Sequence, residues 1–385
     1  MTHISEREMQ LPELEFPKIF KRVVNDKSVI SLGPGEPDFV TPKPLLEYAS
    51  KIIKEGKGTH YSEPQGRLDL REAIAKKLRR ENKIKTSPEN VLVTCGSQEA
   101  LFAGLLTTTD PTEQVVVPSP GYVGYIPAIE LVNGVPVYLK LKEEENFEIN
   151  PDELNKLVDK KKTKVIILNS PSNPTGNVLS RKVLEEVADI AINKKVYIFS
   201  DEAYEQIIYD DKKHISIGSL NGMEKNVVTF QTFSKSFAMC GFRLGYCAGP
   251  SNLIKEMIKP HHYMTLAAPN ISQIVGVRAL SLSKKYINEM IKEYKRRRDF
   301  IVRRLNEIGL PTHTPSGAFY TFSNISKFGG DSVAFSRRLL DKAKVAVIPG
   351  TEFGPYGEGY VRCSFAASLG RIELGMKRVE RSLGK

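Results

Sequence analysis

The chain has 385 residues, 41% of them hydrophobic, and a formal net charge of +11 from 56 Lys and Arg against 45 Asp and Glu. This length predicts about two domains with a large buried core, and no apolar run reaches the roughly 18 residues that a membrane span needs. The basic stretches mix acids with bases at helical spacing and lack interleaved aromatics, which indicates solvated helix faces rather than a surface for nucleic acid.

Two further features concern location and metals. The start of the chain, MTHISEREMQLPELEF, carries four acidic side chains and no apolar core of the kind found in export signals, so we expect a cytoplasmic protein. The four cysteines form no Cys-x-x-Cys pair and lack the histidine spacing of a zinc site. We therefore expect buried, reduced thiols and no metal.

The first predicted elements are a tight turn and an alternating α/β region. The stiff turn GPGEPDF (33–39) is a candidate border of a cleft. From about residue 90 to 250, short β-branched runs alternate with longer helical patterns, which predicts a mostly parallel sheet with helices on both faces. The candidate strands are VLVTC (91–95), VVVP (115–118), VPVYL (135–139), KVIIL (164–168), VYIFS (196–200), VVTF (227–230) and LGYCAG (244–249). The candidate helices are QEALFAGLL (98–106), the segment opened by NPDE (150–153), and LSRKVLEEVADIAIN (179–193).

The pattern changes after about residue 284. A long charged helix is predicted over about 284–307, and GAFYTF (317–322) and KVAVIPG (344–350) follow it, which indicates a smaller α+β domain. No internal repeat or Gly/Ser-rich linker interrupts the chain, so we expect closely packed domains. The predicted division is an N-terminal segment (1–40) that joins the small domain, a large domain (41–284) and a small C-terminal domain (285–385).

Polar residues follow several predicted strands, and in open α/β sheets ligands collect beyond the carboxyl ends of the strands. In CGSQE (95–99), a glycine turn leads into a helix whose free N–H groups suit a phosphate, although an ordinary helix N-cap is the plainer alternative. The loop NSPSNPTG (169–176) holds two prolines and suits the rigid presentation of one amide, for which we choose Asn173. In SDEAY (200–204), a strand ends in two carboxylates and a phenol, and a helix N-cap is again the alternative.

The segment TFSKSFAMCGFRLG (232–245) is the strongest candidate for a catalytic segment. It places Lys235 among apolar neighbours and near a second cation, conditions that lower the pKa of an amine and suit Schiff-base chemistry with a carbonyl. A further arginine, Arg362 in YVRCS (360–364), taken by itself is equally explained by a surface ion pair.

Together, the lysine segment, NPTG (173–176) and DEAY (201–204) resemble the class I/II aminotransferases of pyridoxal-phosphate fold type I, and the resemblance runs from about residue 30 to the C-terminus. It implies an α/β fold with a mostly parallel central sheet, helices on both faces and a smaller α+β domain. Two departures from the family pattern are Thr232, where Ser or Gly is usual, and the absence of Trp, which leaves Tyr122 as the ring-stacking aromatic.

The resemblance implies two catalytic roles and a set of cofactor contacts. Lys235 would carry pyridoxal 5′-phosphate as a Schiff base and then move the proton between the substrate α-carbon and the cofactor. Asp201 would pair with the pyridine nitrogen and keep it protonated. The remaining implied contacts are Tyr204 and Asn173 at the phenolic oxygen, Tyr122 on the ring face, and Gly96, Ser97, Gln98, Thr232, Ser234 and Arg243 around the phosphate.

The resemblance also implies how substrate and partner are bound. Arg362 would hold the substrate α-carboxylate in a bidentate pair, and Gly35 would let its backbone approach the substrate, next to Tyr122 and Asn173. Tyr61 would reach the cofactor of a partner subunit, which implies a homodimer.

The favoured function is transamination between an L-amino acid and a 2-oxo acid, with glutamate and 2-oxoglutarate as one pair by analogy to the family. A lyase reaction such as β-elimination on the same cofactor is the alternative. The length leaves little room for a regulatory fusion with a DNA-binding domain, and no GxGxxG follows an early strand, as a nicotinamide enzyme would require. Aromatic, acidic and alanine-type substrates all remain open.

Overall fold

A central sheet with helices on both faces organises the fold. The computed structural model describes residues 4–9, 11 and 13–384, so residues 1–3, 10 and 12 of the predicted N-terminal segment, and residue 385, lie outside the described residues. The strands are β1 (Ile30–Ser31), β2 (Val91–Thr94), β3 (Gln114–Ser119), β4 (Val135–Lys140), β5 (Thr163–Asn169), β6 (Tyr197–Asp201), β7 (Val227–Thr232), β8 (Gly245–Ala248), β9 (Tyr320–Asn324), β10 (Val345–Ala346), β11 (Ile348–Pro349) and β12 (Tyr360–Ser364). The α-helices are α1 (Glu6–Met9), α2 (Phe16–Asn25), α3 (Lys43–Lys54), α4 (Leu68–Lys77), α5 (Ser97–Thr108), α6 (Tyr125–Leu131), α7 (Pro151–Leu157), α8 (Arg181–Lys194), α9 (Phe233–Ser236), α10 (Ser251–Thr265), α11 (Asn270–Leu280), α12 (Lys285–Glu307), α13 (Ser332–Arg338) and α14 (Leu369–Ser382).

The central sheet has seven strands in the order β2-β8-β7-β6-β5-β3-β4. The five strands from β7 to β4 run parallel, whereas β8 is antiparallel to both of its neighbours. The prediction of a mostly parallel sheet is therefore confirmed. Because β2 and β7 flank β8 in the same direction, Thr94 and Thr232 at their carboxyl ends both pair with Gly245.

Alternate residues of the buried strands face opposite layers of helices. In β5, Val165 and Ile167 belong to a cluster with side chains of α5, α6 and α10. Ile166 and Leu168 belong to a second cluster, with side chains of α7 and α8. Because both faces are covered, such strands are nearly continuous apolar runs. This is the physical reason that KVIIL and its counterparts could be recognised as strands.

Side-chain caps set the start of two predicted helices. The Asn150 side-chain oxygen accepts the N–H groups of Asp152 and Glu153 at 3.1 and 3.2 Å, so the start predicted from NPDE is confirmed. In α8, Ser180 Oγ accepts the N–H of Val183 at 3.3 Å, and the helix begins at Arg181.

A smaller antiparallel sheet, β11-β12-β9, follows the long helix α12. Within the segment GAFYTF (317–322), strand β9 begins only at Tyr320, because Ala318 has a φ of 57°, which no extended strand adopts. The segment 344–350 forms two short strands: β10 pairs with β1, and β11 pairs with β12. Within the described residues, no helix combines the length and the apolar character that crossing a bilayer requires.

The turn at residues 33–39 is held against the C-terminal part of the chain. Ile30 and Leu32, just before it, share a hydrophobic cluster with Phe319. Asp38 in the turn pairs with Arg297 of α12 at 2.7 Å. The carbonyl of Gly35 in the turn also accepts from Lys235, which follows β7, so the turn lies beside the carboxyl end of a central strand.

Candidate active site

A cavity of about 400 Å³ lies at the carboxyl ends of the central strands. Thirteen of the fourteen site residues predicted from the sequence line it: Gly35, Gly96, Ser97, Gln98, Tyr122, Asn173, Asp201, Tyr204, Thr232, Ser234, Lys235, Arg243 and Arg362. The fourteenth, Tyr61, lies outside the cavity with 84% of its surface exposed. Residues spread over most of the chain thus converge because parallel strands end at one edge of the sheet.

Lys235 lies on the single-turn helix α9, directly after β7. Its Nζ donates to the carbonyl oxygen of Gly35 at 2.6 Å. Burial lowers the pKa of Lys235, and the charges of Arg362 and Arg243 act in the same direction, against opposing effects of Cys240 and Glu36. The amine is thereby made more available in its neutral, nucleophilic form.

Asp201 ends β6 and presents a buried carboxylate to the cavity. Its Oδ1 accepts the N–H of Ala203 at 3.1 Å, and its Oδ2 accepts the hydroxyl of Tyr125 at 2.7 Å. Burial raises the pKa of Asp201 because it disfavours the charged form of the carboxyl, although these two hydrogen bonds and the charge of Lys235 oppose the rise. A ligand with a protonated ring nitrogen would supply the charge that this carboxylate needs.

The turn at residues 95–98 lies at the start of α5, and we call it the anion-binding cup because its N–H groups suit an anion. Gly96 has a φ of 92°, and a Cβ there would lie 2.9 Å from Arg243 Nη2. A Cβ on Gly245, in the adjoining strand, would lie 2.5 Å from the nitrogen of Ser97. The two glycines therefore let strand, turn and arginine pack closely. The first-turn N–H groups of α5 have no acceptor within the helix, and Ser234 and Thr232 add hydroxyls to the cavity lining.

Arg362 is buried in the cavity wall, with 5% of its surface exposed. Its Nη1 donates to Asn173 Oδ1 at 2.9 Å and its Nη2 to the carbonyl oxygen of Gly33, while Nε has no hydrogen-bond partner among the described residues. Burial lowers the pKa of Arg362. A buried guanidinium with no carboxylate bonded to it and an unused donor suits an anionic substrate group.

The remaining predicted residues are held by hydrogen bonds to other residues that line the cavity. The hydroxyl groups of Tyr204 and Tyr320 lie 2.6 Å apart. Tyr122 donates its hydroxyl to Gln98 Oε1 at 2.6 Å, which links the predicted ring-stacking aromatic to the anion-binding cup. The backbone N–H of Asn173 donates to Asn169 Oδ1 at 2.7 Å.

The sequence reasoning missed several residues of the site. The most informative are Tyr125, which bonds Asp201, and Tyr320, which bonds Tyr204. The position of Tyr125 close after Tyr122 in GYVGY was the only signal in the sequence that could have drawn attention to it. Other lining residues that were not predicted are Leu101, Val123, Asn169, Ala203, Phe230, Ile348, Glu352 and Phe353.

A buried ionic network next to the site was also missed. Glu202 lies 3.0 Å from His214 Nε2, and Glu205 contacts the ammonium of Lys77. One ligand-type atom from each of Glu202, Glu205 and His214 lies within 4.8 Å of the others. The Lys77 ammonium already pairs with Glu205, and His214 with Glu202, so the cluster carries no metal assignment.

We expect Lys77→Met to lower the free energy of unfolding by about 3–5 kcal/mol, because it leaves the Glu205 carboxylate, whose side chain is 10% exposed, without its cation. Lys77 is 5% exposed, whereas the neighbouring Lys76 is exposed and serves as the matched control. Lys76→Met should change the free energy by less than about 0.5 kcal/mol. Chemical denaturation of both variants measures the difference, and equal midpoints would show that the Lys77 charge has no stabilising role.

The cavity thus combines a buried amine, a buried carboxylate and an anion-binding cup. A group that carries an aldehyde, a basic ring nitrogen and a phosphate would satisfy all three, and pyridoxal 5′-phosphate has this set of groups. The residues present fit that cofactor.

Comparisons with known proteins agree with this chemistry. Residues 27–376 match the family model described as aminotransferase class I and II. The chain is 46% identical to an aspartate aminotransferase of Pyrococcus abyssi over 372 residues, which is 96% of this chain and 95% of the relative. It is 42% identical to aromatic-amino-acid aminotransferase 2 of Thermococcus litoralis over 383 residues, covering 99% of this chain and 98% of the relative.

Solved structures give the same result. The crystal structure of an aromatic aminotransferase from Pyrococcus horikoshii has a TM-score of 0.90 at 45% identity, covering 95% of this chain and 98% of that one. A Thermus thermophilus aspartate aminotransferase with maleate has a TM-score of 0.94 at 34% identity, covering 99% of this chain and all of that one (100%). All four proteins carry aminotransferase names, so the lyase alternative has no support among them.

Proposed function

The chain belongs to the class I and II aminotransferases, and from that premise we propose that it exchanges amino groups between an L-amino acid and a 2-oxo acid on pyridoxal 5′-phosphate. The observation that carries this proposal is the convergence of Lys235, Asp201 and the 95–98 turn on one cavity. When bound, the cofactor supplies a sink for the electron pair that remains on the substrate α-carbon after its proton is removed. The protein's residues hold and orient the cofactor and the substrate, and they move the proton.

Lys235 has two proposed tasks. Its amine, with a pKa lowered by burial, is the attachment point of the cofactor. When the substrate amine replaces it there, Nζ would be free to move the proton between the substrate α-carbon and the cofactor. The Gly35 carbonyl, which accepts from Nζ at 2.6 Å, keeps the side chain directed along the cavity.

The other cofactor contacts position the ring and its phosphate. Asp201 would hold the ring nitrogen in its protonated form, with Tyr125 fixing the direction of the carboxylate. Tyr204 and Asn173 would donate to the phenolic oxygen, and Tyr122 would stack on the ring. The phosphate would lie in the cup built from Gly96, Ser97, Gln98, Thr232, Ser234 and Arg243.

Arg362→Lys should raise the apparent KM by roughly 10- to 100-fold for every amino acid accepted, because each substrate presents the same α-carboxylate. A lysine cannot reproduce the planar pair of donors that the guanidinium offers. Steady-state kinetics with several amino acids measures the effect, and Arg371→Lys, on the partly exposed helix α14, is the control. A rise confined to one substrate would mean that Arg362 recognises a side chain instead.

We also propose a homodimer in which Tyr61 reaches the partner's cofactor. The side chain is exposed and does not line the cavity of its own subunit. Its loop is held firmly, since Asn270 Nδ2 donates to the His60 carbonyl at 2.8 Å and Gln273 Nε2 to Ser62 Oγ at 2.8 Å. A cytoplasmic location stays a prediction.

The names of the relatives make aspartate and aromatic amino acids the first donors to test, with 2-oxoglutarate as acceptor. We expect the protein with pyridoxal 5′-phosphate to form glutamate and the 2-oxo acid of the donor in equal amounts. Release of ammonia and a 2-oxo acid without any acceptor would instead indicate elimination. Absence of both products with every donor would contradict the proposed substrates.

A further inference from the structure

Glu99 occupies an unexpected place at the entrance of α5. It is the third residue of the helix whose start forms the anion-binding cup, and its side chain is 11% exposed. A carboxylate near a phosphate site repels the phosphate unless neighbouring groups compensate its negative charge. Although burial raises it, hydrogen bonding and charge from His261 keep the pKa of Glu99 below its ordinary value, so the group is ionised at neutral pH.

Both oxygens of this carboxylate are engaged. Oε2 accepts the backbone N–H of Cys95 at 2.5 Å, at the point where the strand turns into the cup. Oε1 accepts from His261 Nδ1 at 2.6 Å and from Thr265 Oγ1 at 2.9 Å. The carboxylate therefore joins the turn at one end to α10 at the other.

His261 has no other visible task. It is fully buried, and its Nε2 has no hydrogen-bond partner among the described residues. Placing an imidazole there with one unsatisfied nitrogen costs free energy that an apolar side chain would not. The hydrogen bond to Glu99 is therefore the interaction that explains a buried histidine at this position.

The rest of the turn is held in the same manner. The carbonyl of Cys95 accepts from Arg243 Nη2 at 3.3 Å, and the carbonyl of Gly96 accepts from Thr94 Oγ1 at 2.8 Å. The N–H of Gly96 donates to the Thr94 carbonyl at 2.8 Å. With the Cys95 N–H bound by Glu99, the next N–H groups, at the start of α5, are the ones left to face an anion.

We propose that Glu99 and His261 form a positioning pair that holds the 95–98 turn in the shape that receives the cofactor phosphate, a role that rests on the function proposed above. Glu99 fixes the entry of the turn through the Cys95 N–H. His261, with Thr265, fixes Glu99 and offsets its charge by donating from Nδ1. Neither residue touches the reacting atoms.

If the Glu99–His261 contact only stabilised the fold by joining α5 to α10, its loss would affect ligand binding differently from the loss of a positioning pair. Pyridoxal uses the same amine and ring contacts as pyridoxal 5′-phosphate but has no phosphate. A defect in the cup weakens binding of the phosphorylated form selectively, whereas a general loss of structure weakens both. The ratio of the two dissociation constants is therefore the informative quantity.

The test is equilibrium dialysis of the full-length protein against pyridoxal 5′-phosphate and, separately, pyridoxal. We expect Glu99→Gln and His261→Ala to raise Kd for the phosphorylated form by about tenfold or more, and Kd for pyridoxal by less than about threefold. His261→Asn, whose amide nitrogen can replace Nδ1 as a donor, should restore most of the affinity. Glu256→Gln, in an exposed ion pair on α10, is the matched control and should change neither constant.

Several outcomes would overturn the pair. Equal weakening of the binding of both ligands would mean that the pair is only a structural contact. Tighter binding of the phosphorylated form by Glu99→Gln would show that the carboxylate only repels phosphate. If His261→Ala does not fold, Thr265→Val removes one bond to Glu99 at the surface and should still shift the ratio in the same direction; an unchanged ratio would contradict the role. A wild-type protein that binds neither ligand would instead refute the proposed function.

Discussion

Lys235→Ala is expected to remove transamination almost completely. Loss of the proton transfer alone should lower the rate by roughly 10²- to 10⁴-fold, and loss of the attachment point should add to this. The buried amine is the one that lines the cavity among the lysines of the described residues, so no neighbouring lysine can replace it. Glutamate formation from 2-oxoglutarate measures the rate, and the visible absorbance of the protein mixed with pyridoxal 5′-phosphate measures attachment.

The control for this variant is Lys255→Ala, which removes an exposed lysine from α10. It should keep both the absorbance band and the rate. If Lys235→Ala kept the wild-type visible spectrum, the cofactor would be attached elsewhere and the assignment of Lys235 would be wrong. If it lost the band but kept turnover, the proton-transfer role would be wrong.

Asp201→Asn should lower kcat by at least about 10²-fold, because an amide cannot provide the negative charge that holds a ring nitrogen protonated. The asparagine preserves the size of the side chain and can still accept from the Ala203 N–H, so we expect the fold to be retained. The free energy of unfolding should even rise slightly in the cofactor-free protein, since burial disfavours the charge of Asp201. Kinetics and chemical denaturation of the same preparation separate the two effects.

Tyr125→Phe gives a graded comparison for Asp201. It removes one hydrogen bond to Oδ2 and keeps the carboxylate, so the loss in kcat should be within about tenfold. If Asp201→Asn also lost no more than about tenfold in kcat, the charge of Asp201 would not be needed. If Tyr125→Phe instead lost as much as the roughly 10²-fold expected of Asp201→Asn, the orientation of the carboxylate would matter as much as its charge.

The sequence carried the chemistry of the site in short local patterns. Lys235, Asp201 and Asn173 each follow an apolar strand within a few residues, and such strands, covered on both faces, are visible as β-branched runs. The glycine turn at 95–98 was visible for the same reason. The helix start at Pro151 was also local, because an N-cap, a proline and an acid in the first turn act within one turn of the chain.

The sequence was less informative where the backbone conformation, or a change of strand partner, interrupts an apolar run. The segment 317–322 forms a strand only from Tyr320, because Ala318 has a positive φ. The run at 344–350 divides between two partners, β1 and β12, and no local pattern encodes the partner of a strand. Strand boundaries therefore depended on contacts with distant segments.

What the sequence by itself determined is the kind of chemistry: an amine, a carboxylate, an amide and an arginine, each at the end of a strand or within a strand pattern. What only the tertiary structure decided is which side chains support them: Tyr125 on Asp201, Tyr320 on Tyr204, Lys77 on Glu205, and His261 on Glu99. The Lys77 and His261 contacts join positions 128 and 162 residues apart in the chain. Such pairs arise from strand order and helix packing, and neither propensity nor periodicity, which act over a few residues, can specify them.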